Sequence, residues 1–222
     1  MAPFAPDNRY GRSIAMLREQ EVALEAGHQY IVVETIKREH ATLRAVMELL
    51  RGLLRDISAQ HGEPDFGLLS AALYYIDEFP ERCHHPKEDK YLFKALRQRT
   101  AAFNTMLDTL QSEHVSSAQM MREMHRALVL YQGGAPQGLS TFKSHVDVYA
   151  RLHSDHMRKE EALLAKAPEY LTDSDWHTIA GAFIMDDDPL LSGAVRADFR
   201  KLHLRIMDLL PRELRGHEHH LK

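Results

Sequence analysis

Apolar residues recur at intervals of three and four along most of this chain, while strict alternation of apolar and polar residues is almost absent. Intervals of three and four place apolar side chains on one face of an α-helix, whereas a half-buried strand needs alternation. The clearest stripe runs from Val33 to Leu54, and similar stripes follow it. The pattern therefore predicts an all-α protein whose long helices bury their apolar faces against one another.

Four long helices are expected in the first three quarters of the chain. Their predicted positions are about 30–54, 65–96, 102–131 and 140–168. The second should be kinked at Pro80 and Pro86, because proline removes a helical hydrogen bond. The pattern predicts a four-helix up-down bundle over residues 28–168, preceded by an N-terminal segment, 1–27, that contains a short helix.

The region 169–222 has a different pattern and is expected to form a C-terminal helical extension and tail. Residues 172–175 resemble an N-cap cluster that opens a short helix. The acidic run 186–188 lacks the glycine and final glutamate of a calcium-binding loop and is expected to be a solvated turn. A last amphipathic helix is predicted over 195–209, and the histidine-rich tail, 216–222, is expected to be solvated.

An internal repeat singles out some of the 15 histidines. The dipeptide Glu-His occurs at 39–40 and again at 113–114, and a second histidine follows each copy, 44 and 42 residues later respectively. Each second histidine begins a longer word, 84–95 in one case and 156–167 in the other, and the two words align without gaps. Six of their positions are identical, which favours a duplicated site.

The repeated word contains a histidine and a glutamate four residues apart, which lie on the same face of a helix and can reach one metal ion. The alignment favours His84 with Glu88 over His85 with Asp89. Buried imidazoles and carboxylates without partners cost about 1–3 kcal/mol each, and a bound cation removes that cost. Since carboxylates can bridge two ions, the set predicts a dinuclear non-haem iron site, with zinc or manganese as the alternative metals. The predicted ligands are His40, His84, Glu88, His114, His156 and Glu160.

Composition excludes several other classes. The single cysteine, Cys83, cannot form an intramolecular disulfide or a thiolate cluster, so a metal must be held by nitrogen and oxygen. A formal net charge of −4 gives no basic surplus for nucleic acid. No apolar run is long enough to span a membrane and no apolar segment directs secretion, so we expect a cytoplasmic protein.

With these residues in place, the sequence resembles the hemerythrin-like HHE cation-binding domain family over roughly residues 28–168. The resemblance rests on the order of four words: Glu39-His40, His84 to Glu88, Glu113-His114 and His156 to Glu160. It implies that the four histidines are terminal ligands of two iron ions. It also implies that the two glutamates bridge these ions together with an oxo or hydroxo group. The resemblance further implies that such a centre interacts with oxygen, nitric oxide or peroxide, as part of sensing, scavenging or iron handling.

The resemblance leaves a fifth histidine ligand open. Oxygen-carrying members use five histidines, and the repeat in this chain fixes only four. His153 is the first candidate for a fifth ligand, with His85 and His125 behind it. Iron-centre repair members usually carry a cysteine in an N-terminal segment, and residues 1–27 contain none.

The sequence supplies metal ligands but no evident substrate pocket, general acid or electron-transfer motif. We therefore favour binding or sensing of a small diatomic, oxygen or nitric oxide, over enzymatic turnover. A di-iron oxidase or peroxidase and an iron-centre repair protein are the alternatives. A metal-free interaction module, with 195–209 as its binding surface, is a second alternative.

Several neighbours of the predicted ligands have more than one interpretation. A ferritin-like site would use Glu-x-x-His, which Glu81 and His84 match, but this spacing lies outside the duplicated positions. Tyr149 lies two turns before His156 and either lines the approach to the site or packs in the core. The acidic residues beside the ligands are expected to orient imidazoles or to be solvated. They are Glu39, Asp89, Glu113 and Glu161.

Overall fold

The structure is a computed structural model that describes residues 27–60, 63–184, 190 and 199–207. Within these ranges helices are the only regular elements, which confirms the all-α prediction. The four long helices are α1 (His28–Ser58), α2 (residues 66–99), α3 (Asn104–Gln132) and α4 (Gly138–Lys166). A 3₁₀ turn, Ala167–Glu169, is followed by α5 (Asp173–Ile184) and α6 (Arg200–Met207).

Two apolar clusters divide the core along the bundle axis. Cluster I is formed by Val32, Ile36, Leu92, Phe93, Leu96, Leu107, Leu110, Leu163, Leu164, Ala167, Leu171, Trp176, Ile179, Ala180 and Phe183. Cluster II includes Leu43, Leu50, Leu69, Leu73, Phe79, Met121, Met124, Phe142, Val146, Tyr149 and Phe199. Along the chain, α1 and α3 pass from cluster I to cluster II, and α2 and α4 return from cluster II to cluster I. Successive helices are therefore antiparallel, as the up-down prediction requires.

The histidines and glutamates of the repeat lie between these clusters. On α1, His40 lies between Ile36 of cluster I and Leu43 of cluster II. On α3, His114 lies between Leu110 of cluster I and Met121 of cluster II. The matching positions on α2 and α4 hold the His-x-x-x-Glu words. The fold thus places a polar layer across the middle of the bundle, with apolar side chains above and below it.

Helix α2 does not end at its prolines. It begins as Phe66–Ile76, widens to π-helical turns over Asp77–His84 and again over Glu88–Phe93, and ends as Lys94–Arg99. Pro80 lies inside the first π-helical segment, and Pro86 directly follows it. Because proline lacks the N–H of the ordinary helical ladder, a locally wider helix accommodates it without a break. Of the prolines predicted to kink the helix, Pro80 lies in a π-helical turn and Pro86 lies between the two π-helical segments. His84 ends the first of these segments and Glu88 begins the second.

Local chemistry explains two helix boundaries. The Asp65 carboxylate accepts a hydrogen bond from the backbone N–H of Leu68 at 3.0 Å, which confirms it as the N-cap of α2. At the start of α4, a Cβ atom built on Gly138 would lie 2.5 Å from the Cα of Tyr131. Any side chain there would push α3 and α4 apart, so glycine permits their tight connection.

The extension packs against the bundle through both of its described helices. Helix α5 contacts α1 and the second π-helical segment of α2, and α6 contacts α1 and the start of α2. The predicted cap of α5 is confirmed. The backbone N–H of Thr172 donates to Asp175 at 2.8 Å, and the backbone N–H of Asp175 donates to the Thr172 hydroxyl at 3.3 Å.

Several predictions lie outside the described residues. They are the short helix in 1–27, the acidic turn at 186–188, the tail 216–222, and the ends of the last helix beyond 200–207. None of the described helices is both long enough and apolar enough to cross a membrane.

Candidate metal centre

The six residues singled out by the repeat come together in the polar layer. Each of the four long helices contributes to it, and all six side chains are buried, with at most 7% of any residue exposed. Because one histidine comes from each helix and a glutamate from α2 and α4, the site depends on the whole bundle. The set comprises His40, His84, Glu88, His114, His156 and Glu160.

The six residues form two overlapping groups. His40 and His84 share one group with Glu88 and Glu160, and His114 and His156 share the other group with the same two glutamates. Within each group the potential ligand atoms lie within 4.8 Å of one another. The two carboxylates therefore lie between two pairs of imidazoles.

Each glutamate directs one oxygen toward each histidine pair. Glu160 Oε2 lies 3.2 Å from His40 Nε2, and Glu160 Oε1 lies 3.0 Å from His156 Nε2. Glu88 Oε1 lies 3.3 Å from His84 Nε2, and Glu88 Oε2 lies 3.6 Å from His114 Nε2. This division of the oxygens is what two bridging carboxylates need.

The separations between these atoms fit ligands that surround a metal ion. Ligands about 2.1 Å from one ion lie about 3.0–3.4 Å apart when their angles at the ion are between 90° and 109°. His114 Nε2 and His156 Nε2 are 3.0 Å apart, in this range. Both oxygens of Glu88 and of Glu160, and Nε2 of His40, are buried without a hydrogen-bond partner. Since such atoms are costly to bury, these donor atoms fit a bound cation.

A carboxylate lies beside the second ring nitrogen of every one of these histidines. The Nδ1 atom of His84 is 2.7 Å from Glu39, and that of His156 is 2.9 Å from Glu113. The Nδ1 atom of His40 is 3.3 Å from Glu161, and that of His114 is 3.2 Å from Asp89. When Nδ1 carries the proton and faces a carboxylate, Nε2 keeps its lone pair for a metal.

The four outer carboxylates follow the two-fold pattern of the repeat. Each one is the sequence neighbour of a proposed ligand on its own helix but faces a histidine on another helix. Two are also held by basic side chains, since Arg44 donates to Glu161 and Lys159 donates to Glu113. The sequence left open whether these acidic residues orient imidazoles or are solvated, and their positions favour orientation.

Without a metal, the pKa values of the carboxylates and imidazoles in the polar layer are shifted in different directions. Burial raises the pKa of Glu88 well above its ordinary value, and the charge of Glu160 raises it further. Burial alone would raise the pKa of Glu160 as well, but the neighbouring imidazoles of His114, His156 and His40 outweigh it and hold that pKa well below its usual range. Burial would lower the pKa of His114, yet Asp89 and Glu160 outweigh it and raise that pKa to about 9. A metal ion would displace protons from this layer.

The fifth-histidine candidates differ in position. One ring nitrogen of His85 lies within 4.8 Å of ligand nitrogens of His114 and His156, and its Nδ1 is 3.6 Å from Glu81. The ring of His85 stacks almost parallel on the ring of His114, with 4.2 Å between centroids and 13° between planes. A metal ion bound by an imidazole nitrogen lies close to the plane of that ring. One ion cannot lie in the planes of two rings that are stacked in parallel, so this orientation of His85 does not suit ligation of the same ion as His114.

His153 and the Glu81 carboxylate of the ferritin-like alternative lie outside the residue groups that could hold a metal ion. His153 is buried, but its Nε2 faces Ser117 at 3.5 Å and its Nδ1 faces the backbone oxygen of Tyr149 at 3.2 Å. Glu81 directs its carboxylate toward Tyr149 and Ser117 and not toward His84. The spacing of Glu81 and His84 therefore does not create a ferritin-like ligand pair.

Sequence reasoning missed this second polar cluster. Tyr149 is fully buried, so it does not line an approach from solvent. A signal was available in the sequence, because Glu81 with His85 and Tyr149 with His153 each have the spacing of four that aligns side chains on a helix. The half-buried thiol of Cys83 donates to the backbone oxygen of Glu78 at 3.4 Å, outside the histidine and glutamate groups.

Comparison with known proteins gives one family. A family model described as the hemerythrin HHE cation binding domain matches residues 31–167. The match spans all four long helices and all six residues of the polar layer. No curated protein and no solved structure matches the chain significantly.

Proposed function

Because the chain belongs to the hemerythrin HHE cation-binding domain family, we propose that its polar layer holds two iron ions that bind a small diatomic. The observation that carries the proposal is the pair of four-residue groups that share Glu88 and Glu160. One ion would be held by His40 and His84, the other by His114 and His156, and both glutamates would bridge. The bundle at 28–168 is then the functional domain, and 169–222 is an extension that packs on it.

The histidines, the outer carboxylates and the two bridging glutamates would have different roles in binding the ions. The histidines present Nε2 as a terminal ligand, while the outer carboxylates accept the Nδ1 proton and fix both the tautomer and the ring orientation. Glu88 and Glu160 each supply one oxygen to each ion, which balances charge across the pair. Clusters I and II above and below the layer exclude bulk water, which strengthens these interactions.

The ligand set supports iron over softer ions. Imidazole nitrogen and carboxylate oxygen suit iron, zinc and manganese, and no thiolate lies in the group. Two imidazoles and two carboxylate oxygens per ion leave positions free in an octahedral shell. Bound ferrous ions would supply the electrons and open positions that oxygen or nitric oxide requires.

The burial of the layer limits what can reach it. The six residues are at most 7% exposed, and apolar side chains cover them on both sides. A small neutral molecule can cross such packing during side-chain motion, whereas a large or charged substrate would have to displace it. This supports a diatomic ligand, and it favours binding or sensing over turnover of a larger substrate.

Titration of the reduced protein tests the proposal. The full chain is loaded with ferrous iron without oxygen, and its visible spectrum is followed as nitric oxide or oxygen is added. We expect a stoichiometric change, one diatomic per pair of irons, that reverses when nitric oxide is removed. Zinc-loaded protein is the control and should show no change. Steady-state consumption of oxygen, nitric oxide or peroxide at appreciable rates would contradict a binding or sensing role.

A further inference from the structure

A column of stacked rings leads away from the proposed metal centre. The ring of Tyr149 lies on that of His153, with 3.9 Å between centroids and 22° between planes. His153 stacks on His85 at 5.7 Å and 25°, and His85 stacks on His114 at 4.2 Å and 13°. The column therefore joins a buried phenol to a proposed ligand through nearly parallel rings.

The carboxylate of Glu81 lies at the end of this column, beside the hydroxyl of Tyr149. The Tyr149 hydroxyl donates to Glu81 Oε1 at 2.7 Å, and Ser117 donates to the same oxygen. The Glu81 side chain is 5% exposed, so this is a buried network. Burial, with the charge of Glu81 adding to it, raises the pKa of Tyr149 well above its ordinary value. The phenol therefore keeps its proton at neutral pH and holds it directly against an acceptor.

Packing alone does not explain this arrangement. Phenylalanine would fill the space of Tyr149 without a polar group to satisfy, and the buried carboxylate of Glu81 would be unnecessary. Tyr75 is equally buried, and its ring contacts include the apolar rings of Phe79 and Phe199. Only Tyr149, of these two tyrosines, is stacked in line with the polar layer.

We propose that Tyr149 is a one-electron donor to the metal pair, which passes its electron along the stacked rings and its proton to Glu81. The inference rests on the proposed metal centre and adds a redox function to it. The structural reason is that a phenol loses its proton as it loses an electron, so an efficient donor needs both an electron path and an adjacent base. Tyr149 has both.

The step balances with peroxide as the oxidant. Hydrogen peroxide takes up two electrons, together with two protons from solvent, and its O–O bond breaks to give two water molecules. Where the bound irons would supply only one of these electrons, Tyr149 would supply the other. The O–H bond of Tyr149 breaks, its proton moves to Glu81 Oε1, and a neutral tyrosyl radical remains.

Electron paramagnetic resonance of the full chain tests this step. Iron-loaded protein, partly reduced so that its irons can supply one electron and with its metal content measured first on the same sample, is mixed with hydrogen peroxide and frozen rapidly. We expect an organic radical signal that narrows when the protein is made with ring-deuterated tyrosine. The signal should be lost in Tyr149→Phe, retained in the matched control Tyr75→Phe, and reduced in Glu81→Gln, which keeps the side-chain shape but removes the base.

The outcomes separate the inference from the metal centre. Two irons that are oxidised by peroxide without a tyrosine radical would overturn the inference and leave the proposed function standing. A deuterium-sensitive signal that persists in Tyr149→Phe would also overturn it, because another tyrosine would be the donor. Failure of the wild-type chain to bind metal would overturn both. If Tyr149→Phe does not fold, Glu81→Gln keeps the inference testable, because a radical signal as strong as that of wild type in this variant would overturn it.

Discussion

Replacement of Glu160 by alanine is the sharpest perturbation of the polar layer. One carboxylate oxygen lies 3.0 Å from His156 and 3.6 Å from His114, and the other lies 3.2 Å from His40. The substitution therefore removes a ligand from both proposed ions at once. It also removes the carboxylate that these three histidines share when no metal is bound.

The expected loss is large in both forms of the protein. Substitutions of residues that only orient a ligand weaken metal binding about 10–100-fold, so loss of a bridging ligand should exceed that range. In the metal-free protein, removing one partner of a buried ion pair costs about 3–5 kcal/mol. At about 2–4 °C per kcal/mol for a chain of this size, the melting temperature should fall by about 6–20 °C.

Metal content, the visible spectrum and thermal melting of Glu160→Ala are the assays. The matched control is Asp155→Ala on the same helix, because Asp155 is exposed, adjoins His156 in sequence and pairs only with Arg158 among the described contacts. The control should keep both irons and melt within about 0.5 kcal/mol of wild type. If Glu160→Ala keeps both irons and the wild-type spectrum, the ligand assignment is wrong.

Further predictions concern the outer carboxylates, pH, metal removal and the extension. Glu39→Gln should weaken metal binding about 10–100-fold while the bundle stays folded, because it loosens His84; unchanged affinity in a metal competition titration would argue against an orienting role. In the metal-free protein the raised pKa of His114, about 9, contributes stability that is complete below the unfolded pKa of 6.5 and is lost as pH rises through about 9. Metal affinity should change in the opposite sense, rising by up to about tenfold per pH unit for each proton displaced, and a pH-independent affinity between 7 and 9 would contradict this. Chelation should lower the melting temperature, whereas equal melting with and without metal would favour a metal-free module. Asp175→Ala should cost about 0.5–2 kcal/mol in thermal unfolding through loss of the α5 cap, with metal content unchanged.

The six candidate ligands could be predicted from the sequence for a simple physical reason. A metal needs donors at fixed separations, and a helix converts fixed separations into a spacing of four residues. The duplication of that spacing distinguished His84 from His85 and grouped Glu88 with Glu160 before any contact was known. The four long helices could be predicted in the same way from the apolar stripes.

Contacts between helices were less accessible. The pairing of Glu39 with His84, and of Glu161 with His40, depends on which helices are neighbours and how they are rotated, and local spacing does not encode that. The π-helical turns of α2 were anticipated only as kinks, because proline signals a disturbed ladder but not how the ladder adjusts. The stacked column at Tyr149 was missed because its four rings come from three helices.

Metal content combined with the near-ultraviolet and visible spectrum is the most direct test of the proposed di-iron centre. The measurement uses full-length protein in which His217, His219 and His220 are replaced by alanine, so that tail histidines do not add to the count. We expect two irons per chain with the charge-transfer bands of a bridged pair. Protein that is folded but holds no iron, or a single zinc, would contradict it.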